Sequence, residues 1–184
     1  MEKLIRMVYS NCTIGHYELP LNNVNDYKPR GSFEHRIISN YFDLPYEFLE
    51  RMERDSLISS RSIKIALYSG DMLVISYLDK SPASYCFFAV NPRDFAFFSL
   101  KAKEIYFFNC FTFLEARGKA AIYSEVKYVI EAYKGLGYSK ANVEIFDNNK
   151  NSIRAFEKLG FKKTLEHNVT RVLFIKRIKE KFIS

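Results

Sequence analysis

Residues 105–113 read IYFFNCFTF and lead, through the turn LEA at 114–116, into RGKAAI at 117–122. An apolar run bounded by polar residues is typical of a strand buried on both faces. From Ile122 to Tyr133 the apolar residues recur at helical spacing. The stretch therefore predicts a strand that enters a helix through an Arg-Gly-Lys loop. Such a corner favours anions, because the first N–H groups of a helix lack partners within it and its dipole attracts negative charge.

A second stretch, NKNSIRAFEKLGF at residues 149–161, follows a predicted strand from Ala141 to Phe146. Its asparagines indicate a turn, and Ile153 and Phe156 share one face of a short predicted helix. Gly160 is the expected end of that helix, because glycine readily adopts the left-handed conformation at helix C-termini.

Together, the two stretches resemble the acetyl-CoA-binding half of the GNAT N-acetyltransferase superfamily. The family's Arg/Gln-x-x-Gly-x-Gly/Ala loop is similar to residues 117–122, although Ala120 and Ile122 stand where glycine or a small residue is usual. The family's Asn-x-x-Ala/Ser-Ile-x-x-Tyr-Glu-Lys-x-Gly-Phe pattern is similar to residues 149–161, except that Phe156 replaces the tyrosine.

The order of predicted elements indicates one mixed α/β sheet with helices on both faces. The resemblance implies a single GNAT-like domain over residues 1–184, with its acetyl-CoA-binding half at about residues 104–161. It also implies that the sheet is mostly antiparallel and that two central strands splay apart.

The resemblance assigns acetyl-CoA as the co-substrate and implies where it binds. Backbone N–H groups of the loop would hold the pyrophosphate, and the end of the central strand would pair with the pantetheine arm. Asn149 would orient the pantetheine or the acceptor, although a simple turn residue is the alternative. The implied cofactor-binding residues are Thr112, Phe113, Arg117, Gly118, Lys119, Ala120, Ala121, Ile122, Asn149 and Phe156.

The implied catalytic residues are Glu104 and Asn149. Glu104 lies thirteen residues before Arg117, where the histone-acetylating branch of the family has its general base, and burial would raise the pKa of such a carboxyl. A solvated glutamate at a strand end is the alternative. His35, expected on a helix beside the acceptor cleft, is a second candidate for the base.

Phe156 is the sharpest departure, because it lacks the hydroxyl that would protonate the leaving thiolate. Either another group or water supplies that proton, or the thiolate leaves without it, or the site is slow or inactive.

The resemblance as a whole implies an N-acetyltransferase that moves the acetyl group to a primary amine of a small molecule, directly, in a ternary complex. A CoA-binding or regulatory module without catalysis, and a transferase of longer acyl chains, are the alternatives. The run 109–112 resembles a branch linked to surface-polysaccharide synthesis, which points to an amino sugar.

The net charge of +7 is consistent with a lysine-rich surface or with attraction of anionic ligands. The scattered positions of the basic residues argue against nucleic-acid binding, and no apolar run is long enough to span a membrane.

We interpret Cys12, Cys86 and Cys110 as buried thiols of a cytoplasmic protein. The three histidines lack metal-ligand spacing, so no metal is expected. The sequence leaves a homodimer open.

Local patterns predict the other elements. We expect strands at 3–17, 63–68, 72–78, 85–90 and 169–178, helices beginning at Phe33 and Pro45, a hairpin turn at 69–71, and loops at 18–32 and 91–103.

Overall fold

An eight-stranded sheet forms the centre of the computed structural model, which describes residues 9–56, 58–172 and 175–183. Its strands lie in the order β10-β9-β1-β8-β7-β4-β3-β2, and a separate two-stranded ribbon pairs β5 with β6. The strands are β1 Tyr9–Pro20, β2 Phe33–Ile38, β3 Met72–Leu78, β4 Ser81–Ala89, β5 Arg93–Asp94, β6 Ser99–Leu100, β7 Glu104–Thr112, β8 Lys140–Phe146, β9 Lys162–Val172 and β10 Ile175–Phe182. The helices are α1 Tyr46–Ser56, α2 Ser60–Tyr68, α3 Ala121–Lys134 and α4 Lys150–Leu159.

Helices cover both faces of this sheet, as predicted. The α3 and α4 helices bury Val126, Val129 and Phe156 against one face. The α1 and α2 helices bury Phe48 and Ile63 against the other face. Among the described strands, β7 and β8 are paired in parallel and the other pairs are antiparallel. The predicted fold class, a mixed and mostly antiparallel α/β sheet in one domain, is confirmed.

The β1 strand occupies an unexpected place, in the half of the sheet that is otherwise built by the end of the chain. It pairs with β8 from Ile14 to Pro20 and with β9 from Tyr9 to Glu18. Alternate β1 residues therefore face opposite sides: Tyr17 and Leu19 join the core under α3 and α4, and His16 and Glu18 face the other side.

The prediction of a helix beginning at Phe33 is wrong, because residues 33–38 form the edge strand β2. Phe33 pairs with Leu78 and Ile38 with Leu73. Apolar side chains at both ends of this short segment pack on the sheet, and the pairing with β3 outweighs the capping signal of Ser32.

The predicted strand at residues 63–68 is also wrong, and so is its hairpin turn at 69–71. Residues Ser60–Tyr68 form α2, capped by the Ser59 hydroxyl, which accepts from the Ser62 N–H at 3.2 Å. Ile63 and Leu67 are buried on one helical face. The chain then turns into β3 through Gly70, which has a φ of +84°.

Two further segments differ from the sequence-based expectation. Residues 169–178 form parts of two antiparallel strands, with Val172 opposite Ile175, and positions 173–174 lie outside the described residues. The expected loop at 91–103 contains the β5–β6 ribbon. Of the strand predicted at 3–17, the first part lies outside the described residues and the rest belongs to β1.

The interpretation of Cys86 and Cys110 as thiols is wrong in this structure, which joins them by a disulfide between β4 and β7. The β4–β7 register shifts between Tyr85 and Phe87. This irregularity brings the two cysteine Cα atoms to 4.0 Å. Cys12 is free.

A buried polar network lies between α3 and the sheet. Glu125 is fully buried, and its carboxyl group accepts a hydrogen bond from the Ser76 hydroxyl at 2.7 Å. The His35 ring spans the hydroxyls of Ser76, at 2.7 Å, and Ser124, at 2.9 Å. Burial raises the pKa of Glu125 well above its usual value and lowers the pKa of His35 to about 4. The His35 ring is therefore neutral at pH 7, and burial favours the protonated form of Glu125.

We expect Glu125→Gln to stabilise the protein at neutral pH. The raised pKa means that the folded state keeps a proton that the unfolded chain releases above about pH 4.5, so the carboxyl group costs stability as pH rises. Glutamine is neutral at every pH and still accepts from Ser76. The Tm should rise by about 2 to 4 °C at pH 7, with no gain at pH 4.

Glu131→Gln, on the exposed side of the same helix, is the matched control and should leave the Tm nearly unchanged at both pH values. A lower Tm for Glu125→Gln at pH 7 would contradict the raised pKa of Glu125.

Candidate functional site

The β7 and β8 strands part in the middle of the sheet. They pair in parallel only from Glu104 to Phe107 on β7 and from Lys140 to Val143 on β8. Beyond this point β7 continues along β4, and β8 continues along β1. A wedge-shaped opening results, and the β8-facing backbone edge of β7 has no strand partner there among the described residues. This is the splay implied by the resemblance.

A bulge marks β7 just beyond the point where the strands part. Asn109 has a φ of +47°, in the left-handed region, and its side chain is exposed. Bulges bend a strand and re-aim its neighbouring groups, and they are common beside active sites. Here the bulge lies on β7 just after its last pair with β8, at the start of the opening.

The corner between β7 and α3 has the open helix start that the sequence predicts. After a 3-10 turn at Leu114–Ala116, Gly118 and Ala120 adopt positive φ values of +76° and +65°. The Ser124 N–H donates to the Ala120 carbonyl at 3.1 Å, which forms the first turn of α3. Among the described residues, the N–H groups of Ala121 and Ile122 have no hydrogen-bond partner. A methyl group added at Gly118 would meet nothing within 4 Å, so the corner is open.

Basic side chains and a loop surround this corner. The Arg117 side chain donates through Nε to the Thr112 carbonyl at 3.3 Å. The Arg30 N–H donates to the Lys119 carbonyl at 3.2 Å, which brings the loop after β1 beside the corner. Arg30, Arg117 and Lys119 thus supply positive charge near the free amides.

The other residues of the implied cofactor site have structural contacts in this arrangement. Phe113 is fully buried among the side chains of α1, and its N–H donates to the Ala83 carbonyl at 2.9 Å. The Asn149 side chain caps α4 by accepting from the Ser152 N–H at 3.2 Å. Phe156 is 2% exposed and packs against Phe161.

Glu104 lies at the paired end of β7, away from the opening. Its carboxylate is 3.1 Å from the Lys140 ammonium and accepts from the Asn142 amide at 3.3 Å. Both partners come from β8, where the two strands are still in register. The structure does not bring Glu104 next to the open corner.

A cluster that the sequence reading missed lies on the sheet face opposite α3. Glu144 is the first β8 residue beyond the parallel pairing, and the Tyr106 hydroxyl donates to it at 3.3 Å. His16 from β1 and His167 from β9 lie beside the same carboxylate, at 4.0 and 3.9 Å. Alternation along β8 indicates the face of Glu144, but no sequence signal places the two histidines beside it.

Burial sets the protonation of this cluster. Both histidines are at most 5% exposed, and desolvation lowers the pKa of each ring. Burial also raises the pKa of Tyr106, with the Glu144 carboxylate as a second cause, so the phenol stays protonated.

Within the described residues, no cluster of three or more His, Cys, Asp or Glu has the geometry of a metal site, and no helix is long and apolar enough to cross a membrane.

Comparison with solved structures shows what this geometry is similar to. An acetyltransferase from the GNAT family of Colwellia psychrerythraea is 10% identical with a TM-score of 0.63, covering 89% of this chain and 56% of that one. A GNAT acetyltransferase from Streptococcus pneumoniae has 12% identity and a TM-score of 0.56, covering 83% and 100%. The chain has the GNAT fold. A GCN5-related N-acetyltransferase from Kribbella flavida is 10% identical with a TM-score of 0.55, and the match covers 87% of this chain and 58% of that one.

Sequence comparisons match a smaller part of this chain than the structural comparisons do. No family model matches it. The uncharacterized protein MJ1062 of Methanocaldococcus jannaschii is 51% identical over 39 residues, which are 21% of this chain and 8% of that protein. The chain also spans only between 55% and 66% of the length of the first solved structures that it resembles.

We expect Ala120→Gly to stabilise the corner. A left-handed conformation costs an alanine about 1 to 2 kcal/mol, and glycine avoids this cost at a smaller entropic penalty. The free energy of unfolding in urea should rise by about 0.5 to 1 kcal/mol.

Ala121→Gly is the matched control, because Ala121 begins the right-handed helix and gains nothing from glycine. It should lower the same free energy. Equal destabilisation by both substitutions would contradict the strained turn at Ala120.

Proposed function

We propose that this protein is an acetyl-CoA-dependent N-acetyltransferase acting on a primary amine of a small molecule. The observation that carries the proposal is the parting of β7 and β8 beside a helix whose first amides are free. This combination offers an anion site and an unpaired strand edge within one opening. The shared GNAT fold of the solved structures supports acetyl transfer as the general activity.

The residues around the opening fit the parts of acetyl-CoA. The free N–H groups of Ala121 and Ile122 suit a pyrophosphate, because a helix start attracts anions and Gly118 leaves room for a close approach. Arg117 and Lys119 add positive charge. The free edge of β7, from Phe108 to Thr112, suits the amide groups of a pantetheine arm, as an added strand would.

Direct transfer requires an amine that has lost its proton and a thioester carbonyl that is polarised. The β7 bulge at Asn109 lies beside the opening, and we assign its backbone N–H groups as donors to the developing oxyanion. The amine nitrogen attacks the carbonyl carbon, the C–S bond breaks, and coenzyme A leaves as a thiolate. Thiols have a pKa of about 8.5, so a thiolate that gains its proton from the amine or from water is a tolerable leaving group. This accommodates Phe156, which offers no hydroxyl.

A CoA-binding module with lost catalysis is the second candidate, and Phe156 is the observation that favours it. The ring is buried against Phe161, so no hydroxyl from that position reaches the opening. Release of coenzyme A from acetyl-CoA in the presence of amines separates the two candidates. An amino-sugar acceptor, the ternary mechanism, a homodimer and a cytoplasmic location remain predictions from the sequence, as does transfer of a longer acyl chain.

Coenzyme A should raise the Tm of the protein. A ligand that binds only the folded state stabilises it by about 2.7 kcal/mol at one hundred times its Kd, which corresponds to several degrees here. Adenosine, which lacks the diphosphate and the pantetheine, is the matched control ligand and should give little shift. An unchanged Tm at millimolar coenzyme A would count decisively against this function.

A further inference from the structure

The position of Glu144 at the vertex of the opening motivates an inference that rests on the proposed function. Val143 is the last β8 residue paired with β7, and Glu144 follows it directly. Val143 and Ile145 face the core under α3 and α4, so the Glu144 side chain lies on the opposite face, with Tyr106. Glu104, the carboxylate favoured by sequence spacing, lies at the far end of the paired segment.

Two imidazole rings connect Glu144 with carboxylates nearer the surface. His16 has its Nδ1 atom 4.0 Å from Glu144 and its Nε2 atom 3.5 Å from Glu18. His167 has its Nε2 atom 3.9 Å from Glu144 and its Nδ1 atom 3.6 Å from Glu180. The side chains of Glu18 and Glu180 are 32% and 52% exposed. Each histidine therefore lies between one buried and one accessible carboxylate.

These rings have the hydrogen-bonding capacity that proton transfer requires. Nδ1 of His16 and both ring nitrogens of His167 are buried and make no hydrogen bond to any described residue. Buried polar atoms are almost always hydrogen-bonded, so unpaired nitrogens at such a site call for an explanation. A neutral imidazole can accept a proton at one nitrogen and release the other from its second nitrogen.

Aromatic side chains of the turn between β5 and β6 cover the rings. Phe98 lies 4.9 Å from His16, and Phe97 lies 5.3 Å from His167, measured between ring centroids. The cover keeps bulk water from the buried side of the cluster and favours a defined route through the imidazoles. The Lys140 ammonium pairs with Glu18 and Glu104 at 3.1 Å each, beside this cluster.

We propose that Glu144 is the general base for the acceptor amine and that His16 and His167 conduct its proton to the surface. Glu144 takes one proton from the ammonium group of the acceptor, and the resulting amine attacks the acetyl carbonyl. The second N–H proton passes to the leaving thiolate. The proton on Glu144 then moves through either ring to Glu18 or Glu180 and into water. The sum is one amide, one thiol and one released proton.

Glu144→Gln tests the base. Coenzyme A release from acetyl-CoA would be followed with glucosamine, ethanolamine and tryptamine as probe amines. General-base catalysis contributes about 10²-fold or more, so the kcat should fall at least 100-fold with the best probe, while the Tm shift with coenzyme A is retained. Glu125→Gln is the matched control, a buried glutamate on the other sheet face, and should keep the wild-type kcat. A wild-type kcat for Glu144→Gln would overturn the assignment.

The two routes make a distinctive prediction for the histidines. Because either ring can conduct the proton, His16→Asn or His167→Asn alone should lower the kcat by about 3-fold or less. The double variant should lose at least 10-fold, and its kcat should rise with pH and with buffer concentration, as external bases replace the rings. Packing defects alone would give neither the buffer dependence nor a loss larger than the product of the single effects, and that result would overturn the relay.

The outcomes distinguish this inference from the proposed function. A wild-type protein without a Tm shift in coenzyme A would refute the function itself. A wild-type protein that binds coenzyme A but releases none from acetyl-CoA with any of the three amines would refute the base and leave the binding module.

Discussion

The arrangement of the whole site depends on a competition for backbone hydrogen bonds. The β7 and β8 strands share only four parallel pairs, and then each follows a different antiparallel neighbour. Antiparallel pairing is slightly more favourable per residue than parallel pairing, and the bulge at Asn109 interrupts β7 just beyond its last parallel pair. The two strands therefore diverge without leaving either one wholly unpaired, and the opening is a stable feature of the sheet.

The parts of the fold that the sequence predicts well are those governed by local signals. The apolar run of β7, the open corner at Gly118 and the capped α4 helix each depend on neighbouring residues. The strand prediction for residues 63–68 failed because Ile63, Ile65 and Leu67 alternate as in a strand, while Ile63 and Leu67 also have the i, i+4 spacing of a helix. Only the Ser59 cap and the burial of one face decide for the helix, and burial is a tertiary property.

The candidate site was harder to predict, because half of it depends on contacts between distant segments. The corner and the free strand edge follow from a contiguous stretch, and the structure places them as expected. Glu104 fits a spacing rule, but the register with β8 pairs it with Lys140. Glu144 gains its importance only from where the parallel pairing ends, and His16 and His167 reach it through strands that lie at opposite ends of the chain.

The insertion of β1 between β8 and β9 has a consequence for how the protein folds. Residues of β1 pair with partners more than a hundred positions away, so this strand can dock only after a long loop has closed. Topologies dominated by such distant contacts fold slowly. His16 and Glu144 therefore meet only once β1 has docked between β8 and β9, so the cluster around Glu144 is complete only in a nearly finished sheet.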